Sequence, residues 1–120
     1  MVMNGVDSKG INKAVLALNV AVRDAAYAAA HELGKDLPDN MTFPLEHPKH
    51  EGQGDRASNA AMQLAKTLGR PPRDIAAKIA ELLQGKYNDA GLIEKVEVAG
   101  PGFINLFLSK KWFALAASSV

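Results

Sequence analysis

Two short runs near the end of the chain, joined by Gly100-Pro101-Gly102, constrain the fold most strongly. In residues 93–99, charged side chains alternate with apolar ones, which is the spacing of a strand with one buried face, and residues 103–109 are a second, mainly apolar run of strand length. Glycine and proline between two such runs are typical of a tight chain reversal. We therefore predict a β-hairpin over residues 93–109 with one face turned toward a hydrophobic core.

The first third of the chain has helical spacing instead. Apolar residues recur there at intervals of three and four, so they form one stripe along a helix. The stripe consists of Ile11, Val15, Leu18, Val22, Ala25, Ala29 and Leu33. Gly34 follows at the position where a left-handed helix end is expected, and Pro38 prevents the helix from resuming.

Two shorter helices are predicted after this one. The first covers residues 56–68, with Asp55 as its N-cap and Gly69 at its end. The second begins at Pro72, since proline is favoured in the first helical turn, and it ends at Gly85.

The remaining segments complete a small mixed fold. Residues 41–46 contain a proline and predict an edge strand. Residues 47–54 predict a loop, Lys110 begins a further helix, and residues 1–10 are expected to be disordered. The 120 residues have the length of a single domain. We predict the α+β class, with two layers in which a small antiparallel sheet, including hairpin 93–109, packs against helices.

Composition excludes several classes of function. The chain has no cysteine, which removes disulfides, thiolate catalysis and cysteine-bound metals. A net charge of +1 is far below that of a protein that holds nucleic acid mainly through phosphates. We expect a cytoplasmic protein without a membrane partner, since the sequence lacks a signal peptide and a long apolar span. The common motifs of nucleophilic, metal and dinucleotide sites are absent, so we predict no catalytic residues.

The second hairpin strand is the most informative segment for function. Its alternation places Ile104, Leu106 and Leu108 on the core face. The opposite face then holds Phe103, Asn105, Phe107 and Ser109. An amide beside aromatic rings can pair with the edge of an RNA base while a ring stacks on its plane. The alternative is that a helix covers both rings.

Two other segments also allow a functional and a structural interpretation. His47 and His50, with Glu51 or Asp55, have a spacing that could bind zinc in a metal-dependent hydrolase. A charged, solvated loop explains the same residues. The predicted helix start at residues 55–59 could hold an anion on its free N–H groups, or Asp55 could simply cap the helix.

Three segments carry a family resemblance, in matching order and spacing. They read Gly54-Asp55-Arg56-Ala57-Ser58-Asn59, Pro72-Arg73-Asp74-Ile75-Ala76 and Val98-Ala99-Gly100-Pro101-Gly102-Phe103-Ile104-Asn105. They resemble the Gly-Asp-aromatic-x-Ser/Thr-Asn, Asn-Pro-Arg-Glu-Ile-Ala and Val-Ala-Gly-Pro-Gly-Phe-Ile-Asn segments of arginyl-tRNA synthetases, which are class I aminoacyl-tRNA synthetases. The resemblance implies the N-terminal additional domain of that family, a two-layer tRNA-binding module.

The resemblance also implies a binding site. In the family this domain contacts the elbow of arginine tRNA and recognises a D-loop base through the hairpin's aromatic residue and the asparagine two positions later. Phe103 and Asn105 occupy those positions here. Arg56 departs from the family's bulky or aromatic residue and adds a possible phosphate contact. The expected tRNA-binding residues are Phe103, Asn105, Phe107, Lys110, Lys111 and Arg56.

The catalytic motifs of the family, His-x-Gly-His and Lys-Met-Ser-Lys-Ser, do not occur in the chain. The resemblance therefore implies that the ATP site, with its magnesium, and the arginine site lie beyond Val120. We expect this chain to be inactive alone, to need no cofactor or metal, and to serve an arginine–tRNA ligase in protein biosynthesis. Its expected partners are arginine tRNA and the remaining synthetase domains. In the alternative interpretation, the hairpin face only docks on those domains.

Overall fold

The computed structural model describes residues 13–88 and 90–118. Four helices occur in these ranges: α1 (Lys13–Glu32), α2 (Ala60–Leu68), α3 (Pro72–Leu83) and α4 (Lys110–Ser118). Four strands accompany them: β1 (Leu45–Glu46), β2 (Arg56–Ser58), β3 (Ile93–Ala99) and β4 (Phe103–Leu108). The disorder predicted for residues 1–10 and the first stripe position, Ile11, lie outside the described residues.

The strands form one antiparallel sheet in the order β1-β2-β4-β3. Strands β3 and β4 are the predicted hairpin, and their register pairs Val96 with Leu106, so aliphatic side chains meet on one face. The register shifts between Ile93 and Lys95, as in a β-bulge. This shift explains why Glu94 and Lys95 are both exposed although they are consecutive.

The core lies between this aliphatic face and the helices. Its largest fully buried aliphatic side chains are Leu18, Val22, Leu64, Ile75, Ile79, Leu83, Ile104 and Leu106. Helix α1 buries the predicted stripe positions from Leu18 to Ala29, and Gly34 has the left-handed φ of 96° expected after a helix. The two-layer α+β prediction is confirmed.

The prediction of a helix over residues 56–68 is wrong at its start. Residues Arg56–Ser58 form β2, which pairs with Leu106, Asn105 and Ile104 of β4. Helix α2 begins only at Ala60, and Asn59 rather than Asp55 is its N-cap. A three-residue strand carries no periodic signal, and its pairing with β4 outweighs the local helical pattern because it satisfies the backbone N–H and C=O groups of a buried segment.

The predicted edge strand is much shorter than residues 41–46. Only Leu45–Glu46 pair with β2, although β1 does lie at the edge of the sheet. Tyr27 of α1 holds the preceding segment: its hydroxyl accepts a hydrogen bond from Met41 N at 3.1 Å and donates one to the carbonyl of Pro38. These contacts, with the burial of Phe43 against the Tyr27 ring, hold the preceding residues off the sheet.

The remaining helix boundaries agree closely with the sequence. Gly69 ends α2 with a left-handed φ of 63°, Pro72 lies in the first turn of α3, and α4 begins at Lys110. Helix α3 ends at Leu83, two residues before the predicted Gly85. Within the described ranges, no helix has both the length and the apolar character needed to cross a bilayer.

Candidate nucleic-acid interface

The face of the sheet opposite the helices carries the candidate site, and we call it the outer face. Because paired residues of antiparallel strands point to the same side, the register defines its rows of side chains. One row crosses all four strands as Glu46, Ala57, Asn105 and Glu97. Phe103 lies on the same face, and its β3 partner is Ala99. Phe103 and Asn105 are therefore on one side of β4, as alternation predicted.

Phe103 is held open to solvent at the end of β4. Its side chain is 39% exposed, so no helix covers the ring. The adjoining turn packs closely against α3. The backbone of Gly102 is so near to Pro72 that a Cβ at Gly102 would lie 2.8 Å from Pro72 Cβ. Arg73 also donates a hydrogen bond to the carbonyl of Gly100. An exposed aromatic ring on a fixed turn is available for stacking without prior rearrangement.

Asn105 is only 6% exposed, although it faces away from the core. Its carboxamide makes no hydrogen bond to any side chain or backbone group within residues 13–88 and 90–118. A buried amide normally has its donors and acceptor satisfied. This carboxamide therefore retains its hydrogen-bonding capacity for a ligand.

A concave site explains the burial of Asn105. The loop that joins β1 to β2, residues 47–55, lines a cavity of about 310 Å³ together with the outer face. His47, Lys49, His50 and Gln53 contribute from the loop. Ala57, Phe103 and Asn105 contribute from the sheet. This volume lies near the lower end of the range of small-ligand pockets, about 300–1,000 Å³.

Gly54 and Asp55 attach this loop to strand β4. Asp55 donates its backbone N–H to Leu106 O at 2.7 Å, and its Oδ2 accepts a hydrogen bond from Leu108 N at 2.8 Å. Asp55 therefore joins the start of β2 to β4, and it is not the helix cap that the sequence predicted. Gly54 has a φ of 91°, and a Cβ there would be 2.7 Å from Leu106 O. The close approach of loop and strand thus requires glycine.

The helix start that follows does not favour the anion-binding interpretation. Asn59 makes no side-chain cap hydrogen bond, but the Ser58 Oγ accepts one from Ala60 N at 3.1 Å. One of the free N–H groups is therefore satisfied from within the chain. Ser58 is buried on the core side of the sheet, which is opposite to the cavity.

Phe107 has a different environment from Phe103. Lys95, its partner on β3, places Nζ 4.3 Å from the centre of the Phe107 ring. The same ammonium group lies 3.2 Å from a carboxylate oxygen of Glu97. Phe107 is partly covered by this cation, so it extends the aromatic surface but is less open than Phe103.

The three predicted phosphate contacts lie apart from the cavity. Lys110 and Lys111 are exposed at the start of α4, beyond the opposite end of β4 from Phe103. At about 3.3 Å per residue, β4 alone separates the two ends by roughly 17 Å. Arg56 points to the helix side of the sheet, where its guanidinium carbon lies 5.5 Å from the centre of the Trp112 ring.

The loop residues His47, Lys49 and His50 were missed as part of this site. The interpretation of His47 and His50, with Glu51 or Asp55, as zinc ligands is not supported, since no group of three histidine, aspartate or glutamate side chains suited to a metal occurs within the described part of the chain. The sequence signal that could have identified them is the cluster of basic side chains, His47, Lys49 and His50, in loop 47–55. Its position over Asn105 depends on the pairing of β2 with β4, which the sequence pattern did not reveal.

Comparison with known proteins decides the family. The model of the arginyl tRNA synthetase N terminal domain matches residues 13–108, which include the sheet, the loop and three of the helices. The chain belongs to this family. The match covers every outer-face residue discussed above, and it ends before Lys110 and Lys111.

Individual relatives agree with this assignment. The arginine–tRNA ligase of Burkholderia orbicola is 54% identical over 95 residues, which are 77% of this chain and 16% of the relative. That of Bifidobacterium adolescentis is 42% identical over 106 residues, or 88% of this chain and 17% of the relative. The chain thus spans about one-sixth of the length of these ligases.

A solved structure has the same fold. The arginyl-tRNA synthetase of Plasmodium falciparum superposes with a TM-score of 0.62 over 88% of this chain and 18% of its own. Its sequence identity is 14%, so the likeness concerns the fold. The arrangement of helices and sheet described here is therefore found in a synthetase with a very different sequence.

Proposed function

We propose that the outer face binds a D-loop base at the elbow of arginine tRNA, and that the domain thereby positions the tRNA for aminoacylation. In this proposal Phe103 stacks on the base and Asn105 pairs with its polar edge. ATP with magnesium and arginine would bind in other domains of the synthetase, which are the second set of partners. This chain would then contribute recognition and no chemistry.

The observation that carries the proposal is the free Asn105 carboxamide beside the open Phe103 ring. A carboxamide can donate and accept hydrogen bonds, so it can match a base edge in either role. A stacked aromatic ring contributes about 1–3 kcal/mol per base. The family membership supports the same two residues, because they occupy the positions through which the resemblance implies D-loop contact.

The charges around the site favour base recognition over phosphate binding. Glu46 and Glu97 lie in the same row as Asn105, and both are exposed. The Lys95 ammonium lies 3.2 Å from Glu97, and Lys49 lines the same cavity, so the charges beside Asn105 are balanced and not strongly basic, as binding mainly through phosphates would require. With a net charge of +1, the isolated domain should bind weakly, and the remaining synthetase contacts would supply most of the affinity.

Phe103→Ala is expected to weaken binding of arginine tRNA by about 5- to 150-fold, since it removes the stacking ring. Leu16→Ala is the matched control, because Leu16 is also an exposed large apolar residue, at 52%, but lies on α1. Fluorescence anisotropy with labelled tRNA measures both variants. An equal effect of the two substitutions would contradict stacking at Phe103.

An NMR titration with arginine tRNA tests the D-loop assignment directly. We expect chemical-shift changes centred on Phe103 and Asn105, and we expect them to disappear when the D-loop base is replaced. Shifts confined to lysine and arginine residues would instead indicate nonspecific electrostatic binding. The hairpin face would then be better explained as a docking surface for the other synthetase domains.

Replacing Lys110 and Lys111 together with glutamine is expected to weaken binding to all tRNA sequences alike. Removing both lysine–phosphate interactions should reduce the slope of log K against log salt by about 1.4–1.8, which is about 0.7–0.9 for each lysine. Titrations at several salt concentrations, with tRNAs that differ in the D-loop base, measure this slope. An unchanged slope would contradict a phosphate contact by either lysine. Weaker binding only of tRNAs with one particular D-loop base would contradict it as well.

A further inference from the structure

The first half of α1 is apolar on both of its sides. Residues 14–22 contain a single polar side chain, Asn19. Leu18 is buried in the core, whereas Leu16 and Val20 are 52% and 48% exposed. A helix at the surface of a protein normally has polar residues opposite its buried side, and a helix that is apolar all round is normally covered all round. The exposed side of residues 14–22 therefore has the character of a covered surface.

Leu16 and Val20 project together, because residues four positions apart lie on the same side of a helix. We call these two side chains the α1 ridge. Both line a cleft of about 360 Å³ that separates the ridge from residues 42–44. Val20 also lines a second cleft, of about 350 Å³, together with Tyr87 and Leu92. A single exposed apolar side chain needs no explanation, but a ridge between two clefts has a shape that a partner surface can enclose.

The second half of α1 has the usual polar exterior. Its exposed side begins with Arg23 and Asp24, whose side chains are each 43% exposed, and continues to the exposed His31. The open apolar surface of α1 is thus confined to its first half, which is the half that α4 contacts. Trp112 of α4 donates its Nε1 hydrogen bond to Ala14 O at 2.9 Å, at the start of α1.

This contact of α4 determines where the rest of a ligase begins. The matching family model is that of an N terminal domain, and the chain spans about one-sixth of the ligases that it matches. In such a ligase the polypeptide that follows α4 starts beside the half of α1 that carries the ridge. A tethered domain has an effective concentration in the millimolar range, so a small apolar contact is sufficient to hold it. Contacts between domains of one chain bury about 600–1,500 Å², whereas separate proteins need about 1,200–2,000 Å².

We propose that the α1 ridge is the surface on which the following domain of the ligase docks, through an apolar patch of its own. Docking there fixes the orientation of this domain relative to the rest of the enzyme. Neither ridge residue lines the cavity of the outer face, so docking leaves the outer face free. The inference is independent of base recognition. In the 120-residue chain alone the ridge is uncovered, so Leu16→Ala remains a suitable control for tRNA binding by that chain.

The test compares how fast a thiol at residue 16 reacts with a maleimide in the 120-residue chain and in a full-length ligase that contains it. The chain has no cysteine, so Leu16→Cys introduces a single thiol into it. Ala77→Cys is the matched control, because Ala77 is exposed on α3 and lines neither cleft. Mass spectrometry of the labelled peptides separates these thiols from any elsewhere in the ligase, and circular dichroism verifies that the variants fold.

We expect Leu16→Cys to react about tenfold or more slowly in the ligase than in the chain, because a covered thiol reacts only when the contact opens. Ala77→Cys should react at the same rate in both. Adding Val20→Asp to Leu16→Cys should restore the fast rate in the ligase, since a carboxylate on the ridge opposes an apolar contact. Val20 is 48% exposed, so this substitution should leave α1 folded.

Three outcomes would overturn the inference. Equal rates for Leu16→Cys in the chain and in the ligase would show that no domain covers the ridge. Slow reaction in the ligase that Val20→Asp does not relieve would have a cause other than docking. Slow reaction in the chain itself would assign the ridge to another occupant, which is a second copy if the rate falls as the protein concentration rises, and a segment of the same chain if it does not. The labelling is done without tRNA, so none of these outcomes bears on the proposed function.

Discussion

Replacing Gly54 with alanine should lower the free energy of unfolding by about 3–4 kcal/mol. The φ of 91° at this residue costs an L side chain about 1–2 kcal/mol. The added Cβ would also lie 2.7 Å from Leu106 O, so the loop must move away from β4. That movement breaks the hydrogen bonds of Asp55 to Leu106 and Leu108, each of which contributes about 0.5–1.5 kcal/mol or more. Urea unfolding followed by circular dichroism measures the change.

Gly52 supplies a matched control in the same loop. Its φ of 85° is similar, but a Cβ there would meet nothing within 4 Å. Gly52→Ala should therefore cost only the backbone strain, about 1–2 kcal/mol. If both substitutions destabilise the domain equally, the close approach to Leu106 is not what requires glycine at residue 54.

The sequence predicted those elements whose signal is local. Helix α1 repeats its apolar positions over five turns, and β3 alternates charged with apolar residues before the turn to β4, so period and turn chemistry were sufficient. The same alternation correctly separated Ile104 and Leu106 from Phe103 and Asn105. These predictions depend only on residues that are neighbours in the chain.

The predictions from sequence were wrong where pairing with a distant strand determines the local structure. Residues 56–58 have a helical context, and only their pairing with β4 makes them a strand. Asp55 has the properties of an N-cap, but its carboxylate accepts a hydrogen bond from Leu108, 53 residues away. A local pattern contains no information about such a partner.

The candidate site was predicted in part for the same reason. Alternation placed Asn105 off the core, but it could not show that loop 47–55 shields it. That arrangement follows from β2, since the loop is brought over the outer face when β2 pairs beside β4. The cavity is therefore a product of tertiary structure, although Phe103 and Asn105 were identifiable from the sequence.

Trp112→Ala is expected to destabilise the domain by about 3–5 kcal/mol, as is usual when a buried tryptophan is truncated. Trp112 is 5% exposed and joins α4 to the other elements. Its Nε1 donates a hydrogen bond to Ala14 O at 2.9 Å, at the start of α1. Arg56 of β2 lies 5.5 Å from the ring centre, so one side chain contacts both layers. Because the chain has only one tryptophan, unfolding should be followed by circular dichroism and not by fluorescence.

The neighbouring Phe113 and a conservative replacement separate the causes of this destabilisation. Phe113 packs edge-on against Trp112 but is 48% exposed, so Phe113→Ala should cost only about 1 kcal/mol. Trp112→Phe keeps an aromatic ring in the core and removes the hydrogen bond to Ala14, so it should cost an intermediate amount, about 1–2 kcal/mol. If Trp112→Ala costs no more than Phe113→Ala, α4 is not anchored through Trp112. The lysines at its start would then have no fixed position relative to the outer face.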